Sequence, residues 1–237
     1  MTRGQSLVEN KDVPTKNTLK LYTENGYYHI YNRGVEKRIL FLDQQDCTVF
    51  LHYLKVYLSP PEELKSMAST QPRIFRYLQQ NLFDEIDLLS FALMPNHIHL
   101  FIKQYKRDSI IKLMRRIMTG YAMYFNKKYK RIGPLFQSRY KAVLIESEPY
   151  FLHLSRYIHT NSFNLKTSIN FRKFSSYPYY LGVLKASWVK PDEILSYFKS
   201  AKRQNAKYSD ILSYQSFVEE HEENSQEILG PLALEED

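Results

Sequence analysis

The sequence predicts an α+β fold, a four-stranded antiparallel sheet in βαββαβ order, and three features carry that prediction. Two strand-like runs, "DEIDLLSFALM" and "HIHLFIK", are separated by Pro95-Asn96, a turn pair suited to an antiparallel hairpin. Helical periodicity occupies a stretch before this hairpin and another after it. A further strand-like run precedes the first helical stretch, and one more follows the second. That order is the split βαβ, ferredoxin-like arrangement, which places both helices on one face of the sheet.

Each element has a local reason. Residues 1–20 are polar and unpatterned and read as a flexible N-terminal arm. "YYHIYN", Tyr27 to Asn32, is aromatic and β-branched and stops at "NRG", where Gly34 permits a turn. Asp43 caps a run with Val49, Phe50, Tyr53, Leu54 and Tyr57 at helical spacing, which ends at Ser59-Pro60-Pro61. The stretch from 59 to about 80 reads as an insertion. After the hairpin, Ser109 opens a helix in which Ile110, Leu113, Ile117, Tyr121 and Tyr124 share a stripe. "RYKAVLIE" supplies the fourth strand. "SEPYFLHLSRYIHTN" is a third helix, with Ser147 as its N-cap and Pro149 in its first turn. "YPYYLG" looks like loop, and two further helices are expected from near Pro191 and Ser209.

Charge is unevenly distributed. Residues 219–237 hold eight acids and no Lys or Arg, so residues 1–218 hold 33 basic against 17 acidic groups, a net +16 within a chain of net +8. Residues 103–141 contain twelve Lys or Arg and one acid, Asp108, interleaved with Tyr105, Tyr121, Tyr124, Phe125, Tyr129, Phe136 and Tyr140. Such a pattern suits a polyanion whose bases stack on rings, whereas the plainer reading is a solvated helix face. No apolar run reaches the roughly 18–20 residues of a membrane span. The single Cys47 excludes an internal disulfide and a cysteine metal cage, and the expected location is the cytoplasm.

In "MPNHIHLFI", His97 and His99 are two residues apart on a strand and share a face with Phe101, while Ile98, Leu100 and Ile102 face the other way. The apolar set is the natural partner of the two helices, which leaves both imidazoles on the open face. Two neighbouring imidazoles make a metal-ligand pair, although a His-x-His on a strand is equally met as plain structure. The third helix follows a completed sheet and has the open face to cover. On it Tyr157 and Asn161 are four residues apart and share a face, with His153 one turn earlier. An Asn oxygen can complete a two-His metal site, and a nearby phenol can attack a phosphodiester to give a phosphotyrosine. His153 is a candidate proton acceptor for Tyr157.

"HIYNRG", "LMPNHIHLFI", "GPLFQSRYKAVLIE" and "LSRYIHTN", in this order, resemble the single-tyrosine HUH transposases, most closely their REP-associated branch. The resemblance spans about residues 21–185, leaving 186–222 as a C-terminal helical extension and 223–237 as an acidic tail. It implies a nucleophilic Tyr157 on an added helix over the open face, and His97, His99 and Asn161 as ligands of Mg²⁺ or Mn²⁺. Ligand softness alone would have suggested zinc for the imidazoles. It further implies cleavage and rejoining of single-stranded DNA beside hairpins, without a small-molecule cofactor, by a monomer or by a homodimer that exchanges the tyrosine helix. Arg33, Lys37, Arg38, Arg115, Arg116, Arg139 and Lys141 are the candidate DNA phosphate contacts. A replication initiator or relaxase, and a domesticated protein that binds hairpins without cutting them, are the competing readings.

Overall fold

The computed structural model describes residues 22–163, 165, 167–204, 213–220 and 228–230. Strand β1 (Gly26–Arg33) leads through a 3₁₀ turn at Val35–Lys37 to helix α1 (Gln44–Leu58). Asp43 caps α1 through a reciprocal box, its Oδ1 accepting from the Asp46 N–H at 3.0 Å while Asp46 Oδ2 accepts from the Asp43 N–H at 3.3 Å. The hairpin strands are β2 (Ile86–Met94) and β3 (His97–Gln104). Helix α4 (Ser109–Lys128), strand β4 (Lys141–Ile145) and helix α5 (Glu148–Thr160) follow.

The strands form one sheet in the order β2-β3-β1-β4, antiparallel at every junction, which is the predicted ferredoxin-like topology. Ile98, Leu100 and Ile102 enter a core with Phe50 and Leu54 of α1 and Leu113, Ile117 and Tyr121 of α4. On the opposite face Phe101, Leu89 and Ile145 pack with Leu152, Leu154 and Ile158 of α5. Burying each such side chain contributes roughly 1.5–3 kcal/mol, so a one-residue slip of β3 would reverse the whole set. The histidines are thereby fixed to the α5 face.

Several expectations change. The insertion at 59–80 is helical and built into the core: α2 (Pro61–Thr70), a 3₁₀ turn at Pro72–Ile74 and α3 (Phe75–Leu78) bury Leu64, Ala68, Ile74 and Tyr77. Pro61 suits a helix start, because the N–H it lacks has no partner there. "YPYYLG" is not plain loop, since Tyr177–Tyr180 form a short helix, α6, whose Tyr177 and Tyr180 are buried against α5 and the C-terminal helices. Helix α4 opens at Ser109 as expected, with Asp108 in the N-cap position. Ser147 is the N-cap residue of α5 as expected, but its side chain makes no capping hydrogen bond. Helices α7 (Asp192–Gln204) and α8 (Tyr214–Glu219) form the extension; the expected helix start near Ser209, the arm at 1–20 and the end of the acidic tail lie outside the described residues.

The rings interleaved with charge in 103–141 are mostly structural. Tyr121, Phe125 and Tyr140 are buried, and Tyr124 and Tyr129 each donate to Asp46, because helical spacing turns them toward α1. Much of the positive charge has acids elsewhere in the fold as partners. Lys106 and Lys112 meet Glu85, Lys128 meets Asp43 and Asp46, and Lys103 meets Glu193. The density of charge along the chain thus overstates what α4 offers to a polyanion.

Candidate active site

Strand β3 projects His97 and His99 toward α5, as the alternation predicts. His99 is fully buried, and its Nδ1 lies 2.9 Å from Nε2 of His29 on β1. The two ring planes are 17° apart, with centroids 5.2 Å apart. The other nitrogen of His99, Nε2, is buried and has no hydrogen-bond partner among the described residues. His97 is half-buried and sits edge-on to His99 at 4.9 Å, its Nδ1 held 2.7 Å from the Asn96 side-chain oxygen. Burial, and then the charge of Arg33, push the His97 imidazole down to about 3, and burial holds His99 well below the ordinary histidine range. Both rings are therefore neutral at pH 7, the protonation state a metal ligand needs.

Helix α5 lays Tyr157 against His99 and His29. The phenol ring is nearly perpendicular to both imidazoles, with centroids 5.5 Å from His99 and 6.2 Å from His29. Asn161 is the C-cap of α5, half-buried and one turn beyond Tyr157, to whose carbonyl its N–H donates at 3.1 Å. His153 is buried and its ring lies 5.4 Å from Phe217 of α8. Among the described residues no group of three or more His, Cys, Asp and Glu can hold a metal, so a third protein donor beside the imidazoles would have to be of another residue type. The donor set fits a metal: an orphaned buried nitrogen on His99, and a His97 ring whose Nδ1 is already engaged.

The helix is held by a second buried histidine. His159 Nε2 lies 2.6 Å from Ser176 Oγ and its Nδ1 2.7 Å from the Tyr214 hydroxyl of α8. Ser176 Oγ in turn accepts from the Phe91 N–H of β2 at 2.8 Å, which ties α5 to the sheet. Arg156 Nε donates to the Phe217 carbonyl at 2.8 Å.

The charged candidates separate into two groups. Arg33 pairs in register with His97, is half-buried, and its Nε is buried without a hydrogen-bond partner among the described residues. Lys141 pairs in register with Tyr31, which itself pairs with His99, so all three project to the α5 face. Lys37 and Arg38 are exposed on a loop that hydrogen-bonds to the Pro95-Asn96 turn, next to His97. Arg115 and Arg116 are on α4, across the sheet. Arg116 Nη1 donates to the Gln80 carbonyl at 2.5 Å, and Arg115 shares with Arg139 the lining of an open groove of about 880 Å³ beside α4. His29 was missed by motif reading. Its signal was the order of the sheet, which puts β1 beside β3, together with the two-residue spacing of His29 and Tyr31.

A ferredoxin-like sheet with a His-Ile-His pair under a tyrosine-bearing helix is the arrangement that the HUH resemblance implies. Residues 65–161 match the family described as "Transposase IS200 like", a segment that runs from α2 to Asn161 and contains His97, His99 and Tyr157. The chain is thus similar to the IS200-like transposases over the part that forms most of this site. A solved structure of a REP-associated tyrosine transposase bound to a REP hairpin aligns with a TM-score of 0.46 and 13% identity, covering 73% of this chain and 90% of that one. No curated protein matches the chain. No helix among the described residues is long and apolar enough to cross a membrane.

Proposed function

We propose that the chain is a metal-dependent transposase that cuts and rejoins single-stranded DNA beside hairpins through a 5′-phosphotyrosine on Tyr157. The observation that carries this reading is the orphaned Nε2 of His99 beneath the Tyr157 ring. A fully buried polar atom without a partner costs roughly 1–3 kcal/mol, and a metal ion or a substrate group removes that cost. The IS200-like match and the four ordered motifs support the same reading.

In the reaction, the Tyr157 oxygen attacks the scissile phosphorus and the bond from phosphorus to the 3′ oxygen breaks. The phenol gives up its proton as the bond to phosphorus forms, and the departing oxygen takes one up to become a 3′-OH, so the net proton change is zero. The phosphate stays on the enzyme. Rejoining is the reverse attack by a 3′-OH, so no nucleotide triphosphate is consumed. Arg33, with its unpartnered Nε beside His97, and Lys141 on the same face are the residues placed to hold the phosphate. Mg²⁺ or Mn²⁺ held by His97, His99 and Asn161 would polarise that phosphate.

Incubation with single-stranded hairpin DNA and Mn²⁺ or Mg²⁺, followed by a denaturing gel, tests the proposal. A covalent adduct is expected that disappears with Tyr157→Phe, with His97→Ala or with chelator. An adduct that survives Tyr157→Phe moves the nucleophile elsewhere. Tight hairpin binding with no adduct on any substrate identifies a non-cleaving binding protein instead.

A further inference from the structure

We propose that His29 is a positioning residue that fixes the tautomer of His99 and aims its Nε2 lone pair into the site; the proposal rests on His97 and His99 being metal ligands. The register makes this contact possible. His29 pairs directly with Phe101, so His99 is its diagonal neighbour on β3, a separation that only long or aromatic side chains bridge. The bridge is a 2.9 Å contact between His29 Nε2 and His99 Nδ1, with both rings fully buried.

Each neutral imidazole has one N–H and one acceptor nitrogen, so the contact has two proton arrangements. In the first, His99 carries its proton on Nδ1 and donates to His29, which leaves His99 Nε2 as a bare lone pair. In the second, His29 donates, and His99 Nε2 carries a proton into a buried spot that holds no acceptor for it among the described residues. The second arrangement buries an unsatisfied N–H as well as closing the ligand position. The first buries only a lone pair, which a cation can take. A buried imidazole ligand ordinarily donates its other N–H to a carboxylate or carbonyl that orients it; here a second imidazole fills that role. Tyr31 and Tyr157 pack beside the pair, with Tyr31 5.0 Å from the His29 ring, and restrict its rotation.

The full chain labelled with ¹⁵N-histidine, without added metal, gives the first test. Its long-range ¹H–¹⁵N spectrum is expected to show His99 protonated at Nδ1 and bare at Nε2; a proton on His99 Nε2 overturns the proposal with no substitution needed. The second test is Mn²⁺ binding followed by electron paramagnetic resonance. His29→Phe is expected to weaken Mn²⁺ about 10- to 100-fold, and His29→Gln, which keeps an acceptor, to recover part of that loss. Thermal melts verify that each variant is folded. Wild-type affinity in folded His29→Phe overturns the positioning role while leaving the metal site intact. If His99→Ala binds Mn²⁺ as the wild type does, the metal site itself is wrong, and the role of His29 falls with it.

Discussion

His99 and His159 are both fully buried imidazoles, yet their surroundings differ at one atom. His159 has a partner on each ring nitrogen, Ser176 on one side and Tyr214 on the other. Among the described residues His99 has a hydrogen-bond partner on Nδ1 alone. Burial pushes His159 down to about 3 and His99 well below the usual range, so protonation does not tell them apart. Hydrogen-bond accounting does: among the described residues His159 is satisfied on both ring nitrogens, whereas His99 has one buried nitrogen without a hydrogen-bond partner.

The largest expected difference between them is in chemistry. If His97 and His99 hold the metal as proposed, His99→Ala should lower adduct formation about 100-fold. If that variant keeps half of the wild-type adduct yield on a denaturing gel, the contrast between the two histidines collapses. His159→Phe should act the other way, costing about 1–3 kcal/mol in urea unfolding because it removes two buried hydrogen bonds, to Ser176 Oγ and to the Tyr214 hydroxyl. Under conditions where it stays folded, its Mn²⁺ affinity should match the wild type. A stability loss below about 0.5 kcal/mol would show that the network does not hold α5.

The same contrast explains what the sequence disclosed. His97 and His99 were legible because strand alternation assigns faces, and Tyr157 and Asn161 because helical spacing does. The βαββαβ order followed from a hairpin between two helical stretches. Tertiary pairing was not legible: His29 meets His99 only through the β1–β3 register, and His159 meets Tyr214 across 55 residues of chain. Nor did local charge density reveal that Lys106 and Lys112 turn to Glu85 rather than outward to a polyanion. Arg115 and Arg116 stand beside Arg33 among the candidate phosphate contacts, and the sheet separates them.

Tyr214→Phe sharpens the comparison by removing a single oxygen. It leaves the ring packed against Tyr180 and Phe198 and deprives His159 Nδ1 of its partner. A loss of about 1–2 kcal/mol in urea is expected, smaller than for His159→Phe because the Ser176 bond survives. An unchanged midpoint would mean that α8 holds α5 by apolar packing alone.

The smallest effect concerns a fully partnered charge at the start of β2. Burial alone would raise the Glu85 carboxyl, but Lys106, Ser109 and Lys112 outweigh it and bring the group down to about 2. In the unfolded chain the same group titrates near the ordinary 4.5. Above pH 4.5 both states are ionised and the full stabilisation is present. Below it the unfolded chain takes up a proton first, and stability falls until about pH 2. The Lys106 partner is 63% exposed, so solvent screening reduces the contribution to about 1 kcal/mol. Glu85→Gln should therefore flatten the acid limb of stability against pH between 4.5 and 2, with Mn²⁺ binding at pH 7 unchanged. An acid limb as steep as that of the wild type would locate the acid sensitivity in other carboxylates, and weakened Mn²⁺ binding would couple this end of the sheet to the histidine face.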